Sequence, residues 1–87
     1  MSFQDSKYFP RPVPLTAIGT NQIELETFVA DMIRGHAAEL VADTLRSRTS
    51  RGGRYCSVSL TMIVENQQQL EAIYQSLSDA AEIRFLF

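Results

Sequence analysis

One cysteine (Cys56) and one histidine (His36) occur in 87 residues, and these shortages close off two classes of site. A lone cysteine forms no disulfide within the chain, and Cys56 with His36 falls short of the four nitrogen or sulfur ligands of a structural zinc site. No apolar run approaches the ~20 residues that a bilayer requires, and Met1–Lys7 lacks the apolar stretch of a secretory signal, so a cytoplasmic protein without membrane attachment is expected. Excess charge of one sign is missing too. Eight basic and ten acidic residues leave a net charge of −2, which argues against binding nucleic acid through overall charge. A chain this short commits most of its apolar residues to one core and has little room for a deep catalytic cleft. No Ser, Cys or acidic partner stands at a telling spacing from His36, so no catalytic constellation, metal or cofactor is implied.

What is present is ordinary globular material, 45% hydrophobic and 21% charged, arranged with clear periodicity. Residues 1–12, with Pro10 and Pro12, predict an extended N-terminal arm, and residues 13–87 a single domain. Val13, Leu15 and Ala17 alternate with Pro14, Thr16 and Ile18 up to Gly19, the pattern of a short strand closed by a glycine turn. Leu25, Phe28, Val29, Met32 and Ile33 then form one apolar helical stripe. Thr20 or Asn21 is placed to cap that helix, and Gly35 and His36 mark its end. A weaker alternation from Leu40 to Ser47 carries charges suited to an edge strand. A polar, glycine-containing connection follows at 48–54, then the most strand-like segment, Tyr55–Val64. Its residues Cys56, Val58, Leu60, Met62 and Val64 point one way, and Tyr55, Ser57, Ser59, Thr61 and Ile63 the other. Asn66 and Gln69 have the capping-box spacing ahead of Leu70, Ile73, Tyr74 and Leu77, which predicts a second helix. The last strand is predicted over 82–87, where Ile83, Phe85 and Phe87 alternate with Arg84 and Leu86.

The order β-α-β-β-α-β, with one apolar stripe per helix, predicts an α+β ferredoxin-like sandwich. Its four-stranded antiparallel sheet has the order 4-1-3-2, and both helices cover one face. The most apolar strand then lies inside and the charged one at an edge.

Those residues resemble the small bacterial YbeD-like proteins, a family of unknown function. Phe9-Pro10-Arg11-Pro12-Val13-Pro14-Leu15-Thr16-Ala17-Ile18-Gly19 is similar to the family's Phe-Pro opening, first strand and glycine. His36 falls at the family's helix end, Ser50-Arg51-Gly52-Gly53-Arg54-Tyr55-Cys56-Ser57-Val58-Ser59 resembles its Ser-x-Lys-Gly-x-Tyr-x-Ser-Val hairpin, and Ile83-Arg84-Phe85-Leu86 its last strand. Thr16 departs from a common Lys, and the hairpin loop is one residue longer, with Arg51 in place of Lys. The resemblance implies an ACT-domain-like fold, a setting near genes of lipoate attachment, and no known activity.

Two candidate sites follow. Gly19, Thr20 and Asn21 lead into a helix N-terminus, where N–H groups favour a carboxylate or phosphate and where ACT-like domains bind ligands; a plain helix cap uses the same residues. Arg46, Arg48, Arg51 and Arg54, with Tyr55, gather half of the basic residues into nine positions and form a candidate contact for an anion or a partner. The leading expectation is a non-enzymatic regulatory or binding module for a partner protein or small metabolite, with a homodimer left open by the uncovered sheet face. The alternative is an RNA-binding domain using the arginine-rich hairpin. It is disfavoured because the open face offers no aromatic on the first strand and only Tyr55 on the third. Cys56 is expected to be a buried, inert thiol.

Overall fold

The computed structural model describes residues 8–20 and 24–87. The elements are β1 (Arg11–Thr20), α1 (Leu25–Gly35), β2 (Glu39–Leu40), β3 (Arg46–Thr49), β4 (Tyr55–Val64), α2 (Gln67–Asp79) and β5 (Ile83–Leu86). Strands β1 and β4 pair antiparallel along their full length, Arg11 opposite Val64 and Thr20 opposite Tyr55, and form the centre of the sheet. On one side β4 pairs with β2 and β3; on the other β1 pairs with β5, giving the order β2-β4-β1-β5 with β3 also on β4. This is the expected ferredoxin-like arrangement with its predicted second strand divided in two.

The division has a local cause. Leu40 pairs with Met62 and Arg46 with Ser59, so six steps along this edge oppose three along β4. The surplus is taken up by a turn in which Asp43 adopts φ 66°, a left-handed conformation that Asp tolerates better than most residues. Thr44 fills the gap left in the ladder. Its Oγ1 accepts from the Thr61 N–H at 3.0 Å and donates to the Val41 carbonyl at 2.8 Å. Thr44→Val keeps the shape but leaves the Thr61 N–H without its acceptor. It is expected to lower the unfolding free energy by about 1–2 kcal/mol, with the extra hydrogen exchange measured at Thr61.

The prolines of β1 sit where they do least harm. Thr16 exchanges both backbone bonds with Phe87, so residues of its parity direct their N–H groups away from β4. Pro12 and Pro14 share that parity, and the donors they lack would point to an edge that β5 does not reach. The β1–β4 ladder is undisturbed, and that edge offers no N–H at 12 or 14 to a foreign strand.

Both helices cover one face. Val13, Leu15 and Ala17 of β1, Cys56, Val58, Leu60, Met62 and Val64 of β4, Leu25, Val29 and Ile33 of α1, Ile73 and Leu77 of α2, and Ile83 make one core, and for all but Ile83 the alternation and stripes place them as predicted. Helix α2 opens on the expected cap, the Asn66 Oδ1 accepting from the Gln69 N–H at 2.8 Å. The Gln69 side chain accepts from the Glu65 N–H and donates to the His36 carbonyl at 2.9 Å, tying the start of α2 to the end of α1. Helix α1 differs from expectation at its start. Thr20 ends β1, Glu24 occupies the cap position without a side-chain bond, and Asn21 lies outside the described residues.

Candidate functional site

The uncovered face of the sheet is built from the outward residues of four strands, and antiparallel pairing fixes which of them stand side by side. Ile18 lies opposite Ser57 on one side and Phe85 on the other, and Ser57 lies opposite Arg48. One rung across the sheet therefore reads Phe85, Ile18, Ser57, Arg48. In the next rung Phe87 bonds to Thr16 through its backbone, Thr16 faces Ser59, and Ser59 faces Arg46. The Thr16 and Ser59 hydroxyls meet at 3.1 Å on this face. Ahead of both, Thr20 faces Tyr55 where the β3–β4 hairpin turns.

That hairpin is held tightly. The Ser50 N–H donates to the Tyr55 carbonyl at 2.8 Å, the Tyr55 N–H to the Ser50 Oγ at 3.0 Å, and the Gly53 N–H to the Ser50 carbonyl at 2.9 Å. Gly52 and Gly53 take φ 92° and 73°, conformations closed to most side chains. The turn sets Arg51 over the corner of the sheet. There Ile18, Arg48, Thr49, Ser50, Arg51, Tyr55 and Ser57 line a recess of about 280 Å³. Both guanidinium groups are exposed, and among the described residues neither has a carboxylate partner: the ion pair recorded joins Arg34 to Asp31 at 4.0 Å, on α1. A recess with two unneutralised guanidinium groups, two serine hydroxyls and an apolar wall of Ile18 and Tyr55 is suited to one anionic end group.

The arginine-rich candidate is thus divided by the fold. Arg48, Arg51 and Tyr55 meet at the recess. Arg46 stands one rung away on the same face, its guanidinium donating to the Asp43 and Leu45 carbonyls at 2.8 and 3.1 Å, which fixes its position without neutralising it. Arg54 is exposed on the turn and does not line the recess. At the other candidate, Gly19 has a packing reason: a Cβ there would run into the Glu82 carbonyl oxygen and approach the Leu25 Cδ2 to 3.3 Å.

Cys56 is buried. His36 ends α1, and its Nε2 lies 2.9 Å from the Ser76 Oγ of α2; with the Gln69 bond to its carbonyl, this makes it a clamp between the helices. A broader hollow between α2 and β5 is lined by Glu71, Tyr74, Gln75, Ser78 and Leu86. Burial raises the Tyr74 hydroxyl above the usual tyrosine pKa against the opposing pull of the Arg11 guanidinium, so it stays protonated at neutral pH. Among the described residues no group of three or more His, Cys, Asp or Glu could hold a metal ion, and no helix is long and apolar enough to cross a membrane.

Phe85 and Phe87 belong to the site and were not placed there by the sequence pattern. Simple alternation puts Ile83, Phe85 and Phe87 on one face. The register instead shifts between Ile18 and Gly19, Ile18 pairing with Phe85 and Gly19 with Ile83. Arg84 is the extra residue, so Ile83 enters the core while Phe85 and Phe87 turn outward, 59% and 67% exposed.

The comparisons with known proteins agree with this architecture. Residues 5–87 match the family model described as "Protein of unknown function (DUF493)". A UPF0250 protein of Neisseria meningitidis is 37% identical over 70 residues, 80% of this chain and 77% of the relative. A UPF0250 protein of Xanthomonas axonopodis pv. citri is 30% identical over 77 residues, 88% of this chain and 84% of the relative. Among solved structures, a protein from H. pylori superposes with a TM-score of 0.72 at 16% identity, covering 91% of this chain and 82% of that one. The ACT domain from the GTP pyrophosphokinase of Chlorobium tepidum gives 0.70 at 10% identity, over 87% and 94%. At such identities the likeness is one of fold, and the fold is ACT-like.

Proposed function

The chain belongs to the DUF493 family of UPF0250 proteins, and from that premise we propose that it is a non-enzymatic, ACT-like binding module whose hairpin recess takes the anionic group of a small metabolite or partner protein. The observation that carries this reading is that Arg48 and Arg51 both line a recess of about 280 Å³ and, among the described residues, have no carboxylate partner. Two exposed arginines that line one recess offer an incoming carboxylate or phosphate charge-assisted hydrogen bonds from both. The volume lies at the lower end of ligand pockets and suits an end group better than a whole cofactor. Among the described residues that line the recess there is no His, Asp or Glu to activate its serine and threonine hydroxyls, which supports binding rather than catalysis. The ACT-like fold supports a regulatory setting.

The test is an amide-resolved titration with inorganic phosphate and, separately, with succinate. Shifts centred on Ser50, Tyr55 and Ser57 are expected, with affinity reduced at least about tenfold in the Arg48→Ala, Arg51→Ala double variant. Shifts confined to Gly19 and Thr20 would move the ligand to the β1–α1 turn, and an unchanged affinity in the double variant would end the recess reading.

A further inference from the structure

The geometry points to single-stranded nucleic acid as a ligand of the open sheet face, which extends well beyond the recess and shares only Arg48 with it as a charged contact. The two rungs are the ground for this. Each carries an aromatic ring at the β5 edge and an arginine at the β3 edge: Phe85 with Arg48, and Phe87 with Arg46. Three strand spacings set the two rims about 14 Å apart, and two residues along a strand set successive rungs about 6.8 Å apart. Between the rims the floor is low, made by Ser57, Ser59, Thr16 and Ile18. The face is therefore a shallow trough with a stacking rim on one side and a cationic rim on the other, repeated at a step an extended single strand can follow.

Each part matches one component of that ligand. Exposed rings in register offer platforms for unstacked bases, and bases stack on aromatic side chains regardless of sequence. Arg46 and Arg48 stand where a backbone on the far side would bring its phosphates, and no carboxylate among the described residues pairs with either. The serine and threonine hydroxyls between are suited to sugar and phosphate oxygens. The serines of that floor count against a second copy as occupant, because serine is depleted from the cores of protein interfaces. Charge complementarity also selects one half of the face. Glu39 lies opposite Ile63, with Pro12 beyond that, so this acidic side chain stands at the end of the face remote from the hairpin. The net charge of −2 is consistent with a short footprint of two or three phosphates and not with coating by a long polyanion.

Fluorescence anisotropy with end-labelled uridine and thymidine octamers, and with a duplex of eight pairs as control, tests the proposal at about 50 and about 200 mM salt. The expected result is binding of the single strands, at least about tenfold weaker binding of the duplex, and a loss of about tenfold for Phe85→Ala and for Phe87→Ala. Arg46→Ala is expected to lower the slope of log affinity against log salt by about 0.7. Both phenylalanines are exposed, so their variants fold, and circular dichroism checks that they do. No anisotropy change at low salt, or binding by both phenylalanine variants as tight as by the parent protein, overturns the proposal. So does light scattering that shows a dimer dispersed by Phe85→Ala, which would give the face to a second copy. Phosphate titration separates this reading from the recess. Binding at the recess that survives Phe85→Ala without any strand binding removes the nucleic acid alone, and strand binding without a phosphate response at Ser50 and Tyr55 removes the recess alone.

Discussion

Replacing Gly19 with Ala is expected to lower the unfolding free energy by about 3 kcal/mol and the melting temperature by roughly 12–24 °C, measured by thermal and urea unfolding. The added methyl would meet the Glu82 carbonyl oxygen, and a backbone atom cannot swing aside as the end of a side chain can. Relief requires β5 to move away from β1. That movement would strain the pairing of Gly19 with Ile83 and the register shift beside it, and Ile83 belongs to the core. Gly35 is the matched control. It ends α1, a Cβ there meets nothing within 4 Å, and its backbone is not left-handed. Gly35→Ala is therefore expected to stabilise by about 0.5–1 kcal/mol, chiefly by restricting the unfolded chain and improving helix propensity. Opposite signs from one chemical change would show that the cost at Gly19 comes from the approach of β5.

Gly19 also shows where sequence reading stops. A glycine before a helix suggests both a turn and an anion site, and nothing local reveals that the backbone of Glu82, more than sixty residues later, closes on it. By contrast the β4 alternation and the stripes of both helices were legible, because each depends only on the period of one element and on one large apolar face to bury. The second strand was half legible. Its edge position could be read from its charges, but the left-handed Asp43 and the hydroxyl of Thr44 that replaces a backbone partner depend on β4 lying alongside. The arginine cluster was legible as composition and not as geometry, since pairing sets Arg46 and Arg48 on the open face and the hairpin brings Arg51 to Arg48 but not Arg54. The aromatic rim was hidden by a single inserted residue. A bulge reverses the face of everything beyond it, and Phe85 and Phe87 follow Arg84.

Leu77→Ala is expected to cost about 3–4 kcal/mol and roughly 12–32 °C of melting temperature, whereas Phe85→Ala stays within about 0.5 kcal/mol of the parent. Leu77 is fully buried on α2, in the core that joins both helices to the sheet, so truncation loses its transfer free energy and leaves a cavity between packed elements that collapse only in part. Phe85 removes more atoms when truncated, yet at 59% exposure it leaves no enclosed cavity behind. The contrast bears on function as well as stability. In a chain of 87 residues nearly every large apolar side chain is needed by the core, and the two rings at 85 and 87 are held out of it by a bulge that places Ile83 inward in their stead. If unfolding measurements show Phe85→Ala to be neutral while Leu77→Ala is severe, folding does not account for an exposed ring at that position, and the reason for it lies in what the open face contacts. A cost at Phe85 approaching that of Leu77 would return the ring to the core and withdraw it from the binding surface.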